Sequence, residues 1–245
     1  MKIIIPSYKR ADCLETSKWL YSAIVVVPQS QKQEYEDLNP HLNLIAIPDE
    51  LDGSISKKRN AILDLFPDED ILMMDDDIKS VGYHEDAIMN RVDDKTFVEF
   101  ALNMFQMAKE CKTILWGVNV QSDSKFYREY SPFSLSSIIL GPLMGIRNVS
   151  KLRFSEELAN KEDYDFSIEV LREYRKILKN NKWYYVCGHI TNKGGIVGMR
   201  NADNEIRKGI LLQKKWGSRI INIKRKSVGG KLTINPIVKV PIKGI

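Results

Sequence analysis

Asp75-Asp76-Asp77 closes the short apolar run Asp70 to Met74 with three consecutive carboxylates. Charges this close need a counter-charge, water or a bound divalent metal. A carboxylate cluster at the C-terminal end of a buried strand is a usual place for metal-dependent chemistry. The plain alternative is a solvated acidic turn, since aspartate also forms turns readily. If the segment stays extended, Asp75 and Asp77 project to one side, so that one carboxylate binds metal while the other holds a ribose hydroxyl or a water. Asp77 is the metal ligand of choice and Asp75 the ribose partner and second metal candidate. His189, after a strand and before a glycine-rich loop, is a candidate third ligand or a structural histidine.

A metal-bridged diphosphate also needs a cationic or main-chain clamp. Arg59 and Asn60, on a helix preceding the aspartates, offer a guanidinium for phosphate and an amide for a base or sugar edge, unless they are a solvated helix start. Lys193-Gly194-Gly195 offers backbone amides to a phosphate, or is simply a turn. Glu162-Asp163-Tyr164-Asp165 opens a later helix, where acidic residues also serve the helix dipole.

The elements that must position these groups read as follows. Strands are expected at Lys2 to Ile5, Ala23 to Val27, Leu42 to Ile47 and Ile71 to Met74. Helices are expected over Cys13 to Tyr21, Gln31 to Leu38 and, capped by Ser56, on to Leu65. Strands alternating with helices predict a parallel, doubly wound sheet with ligands at the strand C-termini. Lys95 to Lys112 is an amphipathic helix with Phe97, Phe100, Ala101, Met104, Phe105 and Ala108 facing the core. Further strands are expected at Thr113 to Val120 and Trp183 to Cys187, with an extended segment from Ser136 to Ile146. A helix is expected over Lys161 to Leu178 and another ending near Trp216, followed by basic strands at Arg219 to Ile223 and Leu232 to Val240.

At 245 residues and 43% hydrophobic content, the chain has material for a sizeable core. No apolar run approaches the about 18 residues of a membrane helix, and the start lacks signal-peptide character, so a cytoplasmic location is expected. Cys13, Cys111 and Cys187 are scattered, which excludes a zinc knuckle or a disulfide framework. The net charge of +5 conceals an asymmetry. From Arg200 onward twelve Lys or Arg face two acidic residues, a net +10, which leaves the first 199 residues at −5. Arg200, Lys214, Lys215, Lys224, Arg225 and Lys226 are therefore candidate contacts to a polyanion such as DNA, or members of a solvated basic surface.

Taken in order, Pro6-Ser7-Tyr8-Lys9-Arg10 after the first strand, Arg59-Asn60, Asp75-Asp76-Asp77 as a D-x-D motif and Glu162-Asp163 resemble the GT-A glycosyltransferases. Within them, the chain is similar to the phage and kinetoplastid group associated with TET/JBP dioxygenases, which includes the base J glucosyltransferase. The similarity lies in Val25-Val26-Val27-Pro28-Gln29 with Gln33-Glu34-Tyr35-Glu36, in Ile71 to Ile78, in Glu162 to Ser167, and in Gly194-Gly195 before Arg200. The resemblance implies an α/β fold of GT-A type: a Rossmann-like, mostly parallel central sheet flanked by helices, a mixed acceptor-side portion and a basic C-terminal extension. It implies a catalytic domain over residues 1–200, with a nucleotide-sugar half (1–80) and an acceptor half (81–200), and the basic region 201–245 packed on it. The implied activity is metal-dependent transfer of a sugar, with Mn2+ or Mg2+, from a nucleotide sugar such as UDP-glucose to the hydroxymethyl group of a modified pyrimidine in DNA; the alternatives are a GT-A enzyme with a non-DNA acceptor such as a glycan, and a non-catalytic nucleic-acid-binding protein. Asp163 is then the base, with Glu162 in reserve; Pro6, Ser7, Arg10, Arg59, Asn60, Asp75, Asp76 and Lys193 to Gly195 meet the donor. Neither a membrane nor an obligate protein partner is implied. The second strand ends in Val27-Pro28-Gln29, where many GT-A enzymes place an acidic reader of the donor base, so the base is left open.

Overall fold

The computed structural model describes residues 1–86, 88–188, 202–228 and 231–239. Strands β1 (Lys2–Pro6), β2 (Ile24–Pro28), β3 (Asn43–Ile47) and β4 (Asp70–Met74) lie parallel in the order β3-β2-β1-β4. Their runs, such as Ile3-Ile4-Ile5 and Val25-Val26-Val27, are apolar on both faces because both faces are covered. Ile3 and Ile5 join one core cluster and Ile4 the other, as the two-residue period of a strand requires. Helices α1 (Lys32–Leu38) and α2 (Ile55–Leu65) make two of the crossovers.

The second half of the sheet is mixed. The remaining strands are β5 (Ile78–Glu85), β6 (Ile88–Arg91), β7 (Leu115–Asn119), β8 (Phe133–Ser134), β9 (Leu143–Arg147) and β10 (Leu178–Cys187). They extend the sheet as β4-β9-β7-β10-β5-β6, with β8 on β10. Strand β9 is antiparallel to both β4 and β7, so β4 and β7 run the same way; β1 and β10, parallel to them in turn, share that direction. The C-terminal ends of β1, β4, β7 and β10 therefore meet along one edge, where an α/β sheet takes its ligands. Helix α3 (Asp94–Glu110) buries Phe97, Phe100, Ala101, Met104, Phe105 and Ala108, the six positions its periodicity singles out. Helices α4 (Glu162–Tyr174) and α5 (Ala202–Trp216) and the hairpin of β11 (Ile221–Val228) with β12 (Lys231–Val238) complete the described fold. Among the described residues no helix is long and apolar enough to cross a membrane.

Several local expectations are corrected. Between Cys13 and Tyr21 there is a single 3-10 turn, Thr16–Lys18, not a helix, because the amides of Glu15 and Thr16 both donate to the Asp76 carbonyl. Helix α2 is capped by Ser54, whose hydroxyl accepts from the Lys57 amide, while Ser56 is buried. The aspartates do not continue the strand: β4 ends at Met74 and the chain turns at Asp76-Asp77 into β5, so strand alternation does not set their directions. Strands β5 and β6 escaped notice because Lys79, Ser80 and His84 interrupt the apolar run, although Ser80 and His84 are buried. Helix α4 stops at Tyr174, where Arg175 takes a left-handed φ of 65°, and Leu178 already belongs to β10.

Helix α5 sits against α4. Leu212 and Ile221 pack with Leu158 and Ile168, the Trp216 indole donates to Asp165 at 2.7 Å, and Lys215 bridges Asp165 and Glu169 at 2.8 and 3.0 Å.

Candidate active site

The turn after β4 is held from three sides. The Asp75 amide donates to the Pro142 carbonyl at 2.9 Å, and the Asp75 carbonyl accepts from the Thr16 hydroxyl at 2.6 Å. The same hydroxyl accepts from the Ile78 amide at 2.9 Å, so one threonine spans the turn. Gly188, following β10, donates to the Asp77 carbonyl at 3.1 Å.

The three carboxylates then part company. Asp76 turns inward, its side chain 6% exposed, to pair with Arg10 and accept from the Ser7 hydroxyl at 2.6 Å. Ser7 in turn shares a 2.8 Å hydrogen bond with the Tyr35 hydroxyl, which accepts from the Arg10 amide at 3.0 Å. Burial pushes the Asp76 carboxyl up, and Arg10 and Ser7 act against it. Asp75 and Asp77 remain open, at 33% and 15% side-chain exposure. Asp77 has only a distant contact with Arg10, 3.9 Å, and burial together with the charges of Asp75 and Asp76 raises its pKa to about 6.

Arg59 lies beneath this turn. Its guanidinium donates to Glu162 at 2.9 Å and to the Gly141 carbonyl at 2.9 Å, and stands 3.4 Å from Asp75. A Cβ on Gly141 would come within 2.8 Å of that guanidinium, so a side chain there would drive Arg59 off its partners. Glu162 is buried; burial pushes its carboxyl up, Arg59 opposes this, and the charge of Asp163 adds to it. Asp163 is held by main-chain donors, one oxygen accepting from Gly141 at 2.9 Å and the other from Tyr164 at 2.8 Å.

Asp75 and Asp163 are joined through Arg59 and Gly141, and Asp77 follows in the same turn as Asp75. All three act on the buried Tyr185 phenol, whose pKa burial already lifts well above its ordinary value. Cys187 is close enough for Asp77 and Asp75 to act on its thiol, which burial first and then these charges raise to about 12.

The residues fit a divalent cation as a partial shell. Asp75 and Asp77 are hard oxygen donors that repel one another, and a cation between them would relieve the repulsion that raises Asp77. Among the described residues no group of three or more His, Cys, Asp or Glu is placed to hold a metal, so further ligands would come from elsewhere, as when a diphosphate and water complete the shell.

The other sequence candidates are placed as follows. Pro6 ends β1 and is buried. Asn60 faces Phe154, its amide bonding that residue's carbonyl and amide at 2.9 and 2.8 Å, which ties α2 to the segment before α4. His189, Lys193, Gly194, Gly195 and Arg200 lie outside the described residues. Lys214 lines a shallow groove with Ser155 and Leu158, and Lys215 is taken up by Asp165 and Glu169. Lys224, Arg225 and Lys226 stand on β11 opposite Asn235, Ile234 and Thr233.

Sequence reasoning missed Lys58 and Asp52. Lys58, 2% exposed, reaches the Ser7 carbonyl and pairs with Asp52 at 2.8 Å, fixing the end of β1. Burial lowers the Lys58 pKa and raises that of Asp52, each partner opposing the shift in the other. Within Lys57-Lys58-Arg59 nothing local separates a solvated lysine from a buried one. Thr16 and Tyr35 were equally silent, since their partners lie 59 and 28 residues away in sequence.

No curated protein matches the sequence significantly. Among solved structures, the chain is similar to glucosyl-3-phosphoglycerate synthase from Mycobacterium tuberculosis, in complex with Mn2+, UDP and glucosyl-3-phosphoglycerate. That match has a TM-score of 0.53 and 8% identity over 98% of this chain and 88% of that one. It is also similar to the mannosyltransferase PcManGT from Pyrobaculum calidifontis, in complex with GDP-Man and Mn2+, with a TM-score of 0.54 and 12% identity over 87% of this chain and 64% of that one. At these identities the likeness establishes the GT-A fold. The sequence profile of the TET-Associated Glycosyltransferases matches residues 1–195, and the chain, with its acidic cluster at the ligand edge of a GT-A sheet, belongs to that family.

Proposed function

We infer that this glycosyltransferase moves a sugar from a nucleotide-sugar donor, in a divalent-metal-dependent reaction with inversion, onto the hydroxymethyl group of a modified pyrimidine in DNA. The observation that carries the reading is the aspartate turn at the C-terminal end of β4, with Asp75 joined to Asp163 through Arg59 and Gly141.

Asp75 and Asp77 are the groups that would hold Mn2+ or Mg2+, with His189 a further candidate ligand. A cation bound there supplies charge neutralisation for the departing nucleoside diphosphate. The Mn2+ complexes of the two structural relatives support this assignment, and UDP-glucose is the donor to test first. Arg59, fixed by Glu162 and Gly141, keeps Asp75 in place for the donor ribose. Asp163, oriented by the Gly141 and Tyr164 amides, takes the proton of the acceptor hydroxyl as it attacks the anomeric carbon. The net +10 after residue 199 supports a polyanionic acceptor, with Arg200, Lys214, Lys224, Arg225 and Lys226 on its phosphates.

Nucleosides from hydroxymethylcytosine or hydroxymethyluracil DNA, incubated with Mn2+ and mixed UDP- and GDP-sugars, should gain the mass of one sugar. Consumption of donor without any change in the nucleosides, whichever DNA is supplied, would overturn the acceptor. Asp163→Asn should lose about 10²-fold or more in turnover while donor binding persists.

A further inference from the structure

A cavity of about 460 Å³ opens between residues 136–140, the end of β7 and strand β12, lined by Val120, Ser136, Ser137, Lys179 and Val238 among others. Lys179 is half-buried on β10, between Gly117 of β7 and Ser134 of β8. Among the described residues its ammonium has neither a hydrogen-bond acceptor nor a carboxylate, and burial alone pulls its pKa down. The fully buried lysines elsewhere in the described fold are matched: Lys58 has Asp52 at 2.8 Å and Lys161 has Glu205 at 3.7 Å. A cation withdrawn from water without a counter-charge is destabilising, and an oxyanion beside it removes that cost. The Ser136 hydroxyl, also on the wall, has no partner among the described residues and can donate to the same group.

The cavity adjoins the carboxylate cluster. Leu140 is part of its wall, and the next residue, Gly141, donates to Asp163 and accepts from Arg59. A strand whose reacting hydroxyl meets Asp163 can therefore run along the same wall from Gly141 and Leu140 toward Lys179.

We propose that Lys179, with Ser136, forms an oxyanion subsite that takes a phosphate of the acceptor DNA strand beside the nucleotide being modified. It rests on the DNA-acceptor reading above, while its shared chemistry, a phosphate oxygen, is equally that of inorganic phosphate or of a small phosphorylated acceptor. The tests separate these sources.

The first arm uses the full chain without metal, heated in inorganic phosphate or in sodium chloride of equal ionic strength. Phosphate at tenfold its Kd should raise the wild-type Tm by about 3 °C. Lys179→Met should show no rise, and because it removes an unpaired ammonium it should fold at least as stably as wild type. Ser136→Ala should show a smaller rise. The second arm uses a hydroxymethylpyrimidine oligonucleotide. Lys179→Met should raise its KM, leave the KM for the nucleotide sugar alone, and flatten the slope of log affinity against log salt by about 0.7 to 0.9. Equal phosphate responses in wild type and Lys179→Met overturn the subsite whether or not DNA is the acceptor. A Lys179-dependent phosphate response with an unchanged oligonucleotide KM and salt slope overturns the strand phosphate as its ligand. Failure of the enzyme to modify DNA at all is read separately, from the nucleosides.

Discussion

Arg59 concentrates the site's dependence on one side chain. It is 2% exposed and serves Glu162, the Gly141 carbonyl and Asp75 together. Arg59→Leu would leave Glu162 buried without its cation, so about 3–5 kcal/mol of unfolding free energy should be lost, measurable by urea denaturation. Burial already holds the folded Glu162 pKa above its ordinary value of 4.5, and loss of Arg59 raises it further. The folded state then binds the proton more tightly than the unfolded one, and the deficit should be smallest below pH 4.5 and grow as pH rises toward neutrality. Asp77 gives the same sign in a milder form. Its folded pKa of about 6 exceeds the ordinary 3.8, so its ionisation destabilises the metal-free fold as pH rises through that interval. Asp77→Asn should therefore raise the Tm of the metal-free protein at pH 7.5 and leave it unchanged below pH 3.8, and it should abolish the Tm gain that Mn2+ gives wild type. Parallel Tm curves for the two proteins across this range would refute the account.

At the level of elements, the site depends on segments with little regular structure. The 3-10 turn at Thr16–Lys18 and the loop before β9 grip the aspartate turn from opposite sides, through Thr16 and Pro142. Thr16→Val keeps the shape but leaves the Ile78 amide and the Asp75 carbonyl without that hydroxyl. It should cost about 1–3 kcal/mol and weaken donor binding, read by calorimetric titration, with α3 and its core undisturbed. The contrast with α3 explains what the sequence made legible. The α3 stripe is written in a local 3.6-residue period, as the four parallel strands are written in short apolar runs. Residues 11–21 have no such period because their hydrogen bonds answer to Asp75 and Asp76, some 60 residues on. Likewise β5 is a strand because β10 and β6 pair with it, and its burial pattern follows from that pairing more than from its own composition.

Over the whole molecule, the order of strands along the chain was enough to bring the aspartate turn to one sheet edge, because parallel strands deliver their C-terminal ends to the same side. The internal salt bridges were not legible in this way, since a lysine's partner is set by tertiary packing. The basic terminal region shows the difference. Lys215 is part of the same +10 surplus, yet the fold commits it to Asp165 and Glu169. Neutralising Lys224, Arg225 and Lys226 together should flatten the salt dependence of DNA affinity by about 2–3 in slope. Lys215→Gln should leave that slope unchanged and lower Tm instead. Equal slopes for the triple variant and wild type would remove β11 from the DNA surface.

The two residues that lead into β9 give the molecule an unusual kind of joint. Gly141 and Pro142 bind Asp163, Arg59 and Asp75 with peptide groups alone: one amide and two carbonyls. The aspartate turn, α2 and the start of α4 thus meet on the main chain of one short segment. A one-residue insertion or deletion between Leu140 and Leu143 would shift all three contacts in a single step, whereas a side chain at Gly141 would displace Arg59 alone. What the segment contributes is therefore the spacing of its peptide groups together with the bare Cα of Gly141.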